Sequence, residues 1–186
     1  MMLRAAIIPP DEVLQELRRA GGSPRQSATD VWDVQVAGFG NVSEADARRL
    51  GRVLADELAA VPAPVMWFTA PRLEDGEIIA PLEGQVEEMA ELARIVHRLA
   101  SSVNLYVDRR RFRPVLTMAS LEASDGAQPP APAAVPRTAS PTWAGMPWEA
   151  GGVSLVRTRW SESGGRAEEL MFIELGHPVD HSVAPG

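Results

Sequence analysis

"FRPVLTMAS", Phe112–Ser120, follows the three consecutive arginines Arg109, Arg110 and Arg111 and reads as a short strand. Its alternation puts Val115, Thr117 and Ala119 on one face and Leu116, Met118 and Ser120 on the other. What the first face looks at decides how the chain is read. Against a core, Val115 is an ordinary apolar residue; against a cleft, it stands where a reactive side chain is expected.

The flanking segments give the strand a setting. "LRAAIIPP" (3–10) is an apolar run ended by two prolines, a buried strand leading into a helix that Asp11 and Glu12 start and Gly21 and Gly22 stop. Val13, Leu14 and Leu17 form its apolar stripe. "VWDVQVAGFG" (31–40) alternates as a second strand, with Trp32, Val34 and Val36 on one face and Asp33, Gln35 and Ala37 on the other. Ser43, with Asp46 three residues on, resembles a capping box ahead of Leu50, Val53, Leu54, Leu58 and Val61 at helical spacing.

"APVMWFTAPRL" and "EDGEIIAPLEG" read as two strands joined through Asp75-Gly76. A third helix follows from about Val86 to Ser101, with Val86, Met89, Ala93, Val96 and Ala100 facing inward. "DGAQPPAPAAVPRTASP" is rich in Pro and Ala and reads as an exposed, mobile loop over about 125–142. "GGVSLVRTRWSESGGRAEELMFIEL" is a closing hairpin, and residues 177–186 form a flexible tail. The order is β-α-β-α-ββ-α-β-loop-ββ. It predicts an α+β fold, with antiparallel sheets and helices on their outer faces, as one two-lobed domain over 1–176.

Composition narrows the function classes. The chain has no cysteine, hence no disulfide, thiolate nucleophile or zinc-thiolate site. It has no apolar stretch of membrane-spanning length and no secretory leader, so a cytoplasmic location is expected. All 18 basic residues are Arg, and the net charge of −7 argues against duplex DNA. A local basic patch for a small phosphorylated ligand remains compatible with that charge.

The segments "LRAAIIPPDEVLQEL", "WDVQVAGFGNVSEADARRL", "RRRFRPVLTMAS" and "VSLVRTRWSESGGRAEEL", in this order and spacing, resemble the 2′-5′ RNA ligase-like branch of the two-histidine phosphoesterase superfamily. That resemblance implies two sheets facing across a cleft, each contributing a strand with a His-x-Thr motif. One histidine then acts as general base and the other as general acid, while the threonines hold phosphate. Imidazole suits that task because it titrates near neutral pH.

Anchored on Phe39-Gly40-Asn41-Val42, the first motif falls on Asp33-Val34-Gln35. Anchored on Phe112-Arg113-Pro114, the second falls on Val115-Leu116-Thr117. Both histidines are replaced, and only Thr117 survives of the four positions. Two positions that often carry basic residues in the family are Ala37 and Ser120 here. Val115 transfers no proton. Asp33, with an ordinary carboxyl value near ~4, is a weak base unless burial raises it by roughly 2–3 pH units. General acid–base catalysis contributes about 10²–10⁴ per group, so losing both partners removes most of the rate enhancement that the resemblance implies.

Other candidates carry two readings each. Arg157 and Arg159, at i and i+2, share a strand side and either clamp an anion with Arg113 and Thr117 or are solvated strand arginines. Thr158 either lines the cleft or is structural. Trp32 is expected in the core and Trp67 is open. Trp143 and Trp148 either stack on a base or protein partner, or pin the loop to the body. His97 reads as a half-exposed helix residue, and the tail's His177, Asp180 and His181 make a poor metal site beside Pro178.

No cofactor and no metal are expected. The leading expectation is a catalytically inactive relative that binds a nucleotide or RNA end through its phosphate, or a protein through the Trp143/Trp148 loop. The alternatives are an active cyclic phosphodiesterase or 2′-5′ ligase with relocated groups, and a scaffold whose cleft is filled.

Overall fold

The computed structural model describes residues 1–21, 31–120, 140, 142–161 and 164–176. In chain order the elements are β1 (Met2–Ile7), α1 (Asp11–Gly21), β2 (Val34–Asn41), α2 (Glu44–Leu58), β3 (Val65–Phe68), β4 (Arg72–Glu74), β5 (Glu77–Gly84), α3 (Val86–Ser102), β6 (Val115–Ser120), β7 (Trp148–Glu149), β8 (Gly152–Ser161) and β9 (Gly164–Glu174). This is an α+β fold of two antiparallel sheets and three helices. The loop expected around 125–142 lies largely outside the described residues, and the tail entirely so.

The apolar run of β1 occupies an interior position, pairing with β2 on one edge and β8 on the other, in the order β2-β1-β8-β9. Leu3, Ala5, Ala6 and Ile7 are all buried; Arg4 is the one charge in the strand. In the second sheet β5 is the hub. Its Leu82–Gly84 pairs with β3, its Glu77–Ile79 with β4, and its Glu77–Pro81 with β6, while β7 extends the sheet beyond β3. The single strand expected over "APVMWFTAPRL" is thus two segments. Ala70 and Pro71 interrupt it, since proline supplies no ladder N–H, and Thr69 donates its amide to Pro81 on β5 at 2.9 Å. The Asp75-Gly76 turn joins β4 to β5 with both residues at positive φ, 49° and 79°, as a tight hairpin turn requires.

The helices obey their local signals. The Pro10 carbonyl accepts from Leu14 at the start of α1. Ser43 caps α2: its Oγ accepts from the Asp46 amide at 3.1 Å and donates to the Asp46 carboxylate at 2.6 Å, so Asp46 answers the hydroxyl of Ser43. Leu50, Leu54 and Leu58 are fully buried. α2 packs on β9 and on α3, and α3 lies against β2. α1 instead reaches the second sheet, where Gly21 abuts Met118 and Pro71, and Glu16 accepts from the Met146 amide at 2.9 Å. Among the described residues no helix is long and apolar enough to cross a membrane.

Gly84 ends β5 at φ +104°, and a Cβ there would lie 2.6 Å from the Val65 carbonyl oxygen. Gly84→Ala therefore combines backbone strain with a backbone clash, and its expected cost is about 2 kcal/mol or more. Ser43→Ala loses a cap worth ~1 kcal/mol. Urea unfolding of both variants checks the order; an equal or smaller loss in Gly84→Ala contradicts the close approach of β3 and β5.

Candidate functional site

The two sheets meet where β2 comes against β6. The segment between α3 and β6 crosses that junction and is tied at both ends by backbone bonds. Asp108 donates its amide to Gly38 of β2 at 2.8 Å, and Leu82 of β5 donates to Pro114 at 2.8 Å. Arg109, Arg110, Arg111, Phe112 and Arg113 are suspended between these two anchors. Beneath them opens a groove of about 400 Å³, within the size range of small-molecule sites.

Arg4 and Asp33 contribute the groove's most deeply held charges. Arg4 Nε and Nη2 both donate to Asp33 Oδ2, at 3.0 and 2.7 Å, and Nη1 donates to Thr158 Oγ1 at 3.1 Å. Their side chains are 21% and 8% exposed. Burial pushes the Asp33 carboxyl above its ordinary value near 3.8, while the charge and hydrogen bonds of Arg4 pull it back. A single-partner truncation of such a pair leaves an uncompensated buried charge.

Around this pair the groove is lined by Gln35 and Gly38 from the β2 side, by Val115 and Thr117 from β6, and by Glu77, His97, Asp108, Arg110, Arg111 and Arg113. Most of the charges are paired: Arg110 with Asp108 at 3.3 Å, and Arg113 with Glu74 at 3.1 Å and Glu77 at 3.7 Å. Hydrogen bonds from Arg72 and Arg113 hold the Glu74 carboxyl below its usual range. Arg111 has no acidic partner among the described residues. The groove's own lining thus sets four arginines against three carboxylates, with Glu74 beyond the lining on Arg113, in a chain of net charge −7.

Asp33, Gln35, Val115 and Thr117, the residues that the sequence resemblance sets at the motif positions, converge on this groove, and Arg113 reaches its rim. The face of Val115 and Thr117 looks into it, while Leu116 and Met118 are buried behind. Asp33 is not a lone carboxylate: its Oδ2 already takes two bonds from Arg4. Thr158 reaches the site through Arg4.

Arg157 and Arg159 are not brought to the groove. In the β1–β8 register Arg157 stands opposite Leu3 and Val156 opposite Arg4, so Arg157 faces away from Arg4. There it binds Glu168 at 2.7 Å and approaches Glu44 of α2 at 3.8 Å, lining a separate pocket with Met1 and Met171. Its hydrogen bond holds the Glu168 carboxyl low. Arg159 shares that side by alternation and is exposed.

Of the two readings of Trp148, a ring for a partner or one held on the body, the structure fits the second: it is 6% exposed and stacks on Phe68 with centroids 6.0 Å apart. Trp143 packs half-buried on the core. Trp32 is buried as expected, with Arg18 over its ring at 5.2 Å. His97 is half-buried as expected, yet it lines the groove, a placement that helix periodicity does not reveal. Its ring makes no hydrogen bond to Thr117. His177, Asp180 and His181 lie outside the described residues. Sequence reasoning missed Arg4; the available signal was a lone charge inside an otherwise apolar strand.

No protein-family model matches the chain, and no curated protein matches it in sequence. Solved structures do. A phosphoesterase crystal structure aligns with TM-score 0.71 at 16% identity, over 95% of this chain and 98% of that one. E. coli LigT complexed with 3′-AMP aligns with TM-score 0.68 at 17% identity, over 94% and 97%. The Thermus thermophilus protein TT0787 aligns with TM-score 0.66 at 18% identity, over 95% and 99%. The chain has the LigT-like fold.

The Asp33 pair carries a pH signature. A carboxyl raised in the folded state binds its proton at higher pH than in the unfolded chain, so its contribution to stability falls as pH rises from about 3.8 through the raised folded value. The stability of the wild type minus that of Asp33→Asn is therefore expected to shrink across that window in urea unfolding. A difference that grows with pH means the Arg4 charge outweighs burial.

Proposed function

We propose that the chain is a catalytically inactive member of the two-histidine phosphoesterase superfamily, of its 2′-5′ RNA ligase-like branch, and binds the phosphate of a nucleotide or RNA end in the cytoplasm. The observation that carries the reading is Val115 on the groove face, beside Thr117, where a proton-transferring side chain is needed. The opposite motif position holds Asp33, engaged by Arg4.

What remains suits binding. Arg4 offers a guanidinium of fixed orientation, Thr117 a hydroxyl, and Arg111 a charge without an acidic partner among the described residues. An open, polar-lined groove counts against the reading of a filled cleft. The fold neighbour LigT has been crystallised with 3′-AMP, ATP and NADP+, ligands that share a phosphate on a nucleoside.

One observation favours a second reading, an active phosphodiesterase with relocated groups: His97 places an imidazole on the groove wall. It supplies one proton-transfer group where the reaction needs a proton both taken and given.

The wild type is expected to bind 3′-AMP and to leave adenosine 2′,3′-cyclic phosphate and 2′-5′-linked RNA unchanged. Thr117→Val and Arg111→Gln, both at exposed positions, are expected to weaken 3′-AMP about tenfold with little change in melting temperature. Enzymatic turnover lost in His97→Gln establishes the second reading instead; absence of any nucleotide binding removes both.

A further inference from the structure

The groove has a neighbour on the far side of the arginine segment. A second cavity, of about 600 Å³, opens between that segment and the face of α3 bearing Ala90, Ala93 and His97. His97, Arg110, Arg111 and Phe112 line both cavities, so the two hollows flank one strip of chain. The second adds Arg94 and Arg109, and among the described residues its lining has no acidic side chain. Arg109 has no acidic partner among the described residues, and Arg94 makes exposed contacts to Glu91 at 2.8 Å and, through Nε, to the Ala90 carbonyl at 3.4 Å. Of the four arginines that line this hollow, Arg94 and Arg110 have carboxylate partners, which leaves Arg109 and Arg111 as two charges without one among the described residues, in a chain of net charge −7.

We infer that the second cavity is a binding site for a further phosphate of the ligand whose first phosphate occupies the groove, so the preferred ligand is a single-stranded oligonucleotide end and not a mononucleotide. The inference rests on the phosphate-binding reading of the groove. Two kinds of ligand carry a second phosphate, a strand and a nucleotide polyphosphate, and the half-buried Phe112 separates them. Its ring sits where the two cationic hollows meet, which matches the alternation phosphate–base–phosphate of a strand, with the base against the ring. Phe112 packs against the core on its buried side, and contiguous phosphates offer its open side no face to stack on.

The test uses the full chain and three probes: uridine 3′-monophosphate, a uridine tetranucleotide ending in a 3′-phosphate, and ATP. The double variant Arg94→Gln/Arg109→Gln touches the second cavity alone, at exposed positions. It is expected to weaken the tetranucleotide about tenfold or more while changing the monophosphate less than about twofold. The salt dependence of tetranucleotide binding should flatten by about 0.7 in log–log slope, the loss of one phosphate contact on a single strand. Equal effects on tetranucleotide and monophosphate, or none on either, overturn the second site. An equal loss for ATP overturns the strand in favour of a polyphosphate. If the wild type binds none of the probes, the reading of the groove falls and this inference with it; if it binds the monophosphate normally and the variant changes nothing, only this inference falls.

Discussion

The contact between Arg4 and Asp33 governs what the groove can do. It joins the middle of β1 to the residue that leads into β2, and through Thr158 it reaches β8, so three adjacent strands share one guanidinium. A charge placed in the centre of an interior strand is tolerated only when paired and hydrogen-bonded. Asp33 meets that requirement, and in doing so gives up its freedom to act as an isolated base. Arg4 in turn is held in one orientation toward the space between the sheets. The position that the family resemblance assigns to a proton shuttle thus serves here to fix a cation.

Electrostatics at the rim follow from two backbone hydrogen bonds. Asp108 on Gly38 and Leu82 on Pro114 stretch the intervening residues across the junction of the sheets, so arginines that would otherwise be dispersed are concentrated over one opening. Asp108, Glu74 and Glu77 balance part of this charge. The remainder, on Arg111 and Arg109, lies beside concave surfaces, where field lines are focused.

Much of this was legible before any coordinates. The buried run Leu3–Ile7, the Ser43 cap, the Asp75-Gly76 turn and the alternation of Val115 and Thr117 against Leu116 and Met118 each express a local rule, and each element appears where its rule puts it. The misses have one cause. Alternation says that Arg157 and Arg159 share a side without saying which side, and the register with Leu3 turns them toward α2. Periodicity makes His97 half-exposed without saying what faces it. An indole next to a long loop looks free until Phe68, far back in the chain, is found beneath Trp148. Arg4 and Asp33 are separated by 29 residues, and nothing in either neighbourhood announces the other.

The amino-acid sequence by itself determined the succession of strands and helices, the faces of β6, and the absence of histidine from residues 31–41 and 112–120, because these depend on residue type and on periods of two and 3.6 residues. Tertiary structure alone decided which charges meet: that Arg4 takes Asp33, that Glu168 and Glu44 take Arg157, and that His97 arrives at the groove from a helix. Pairing across sheets and layers is set by register and packing between segments far apart in the chain, and no local pattern carries that information.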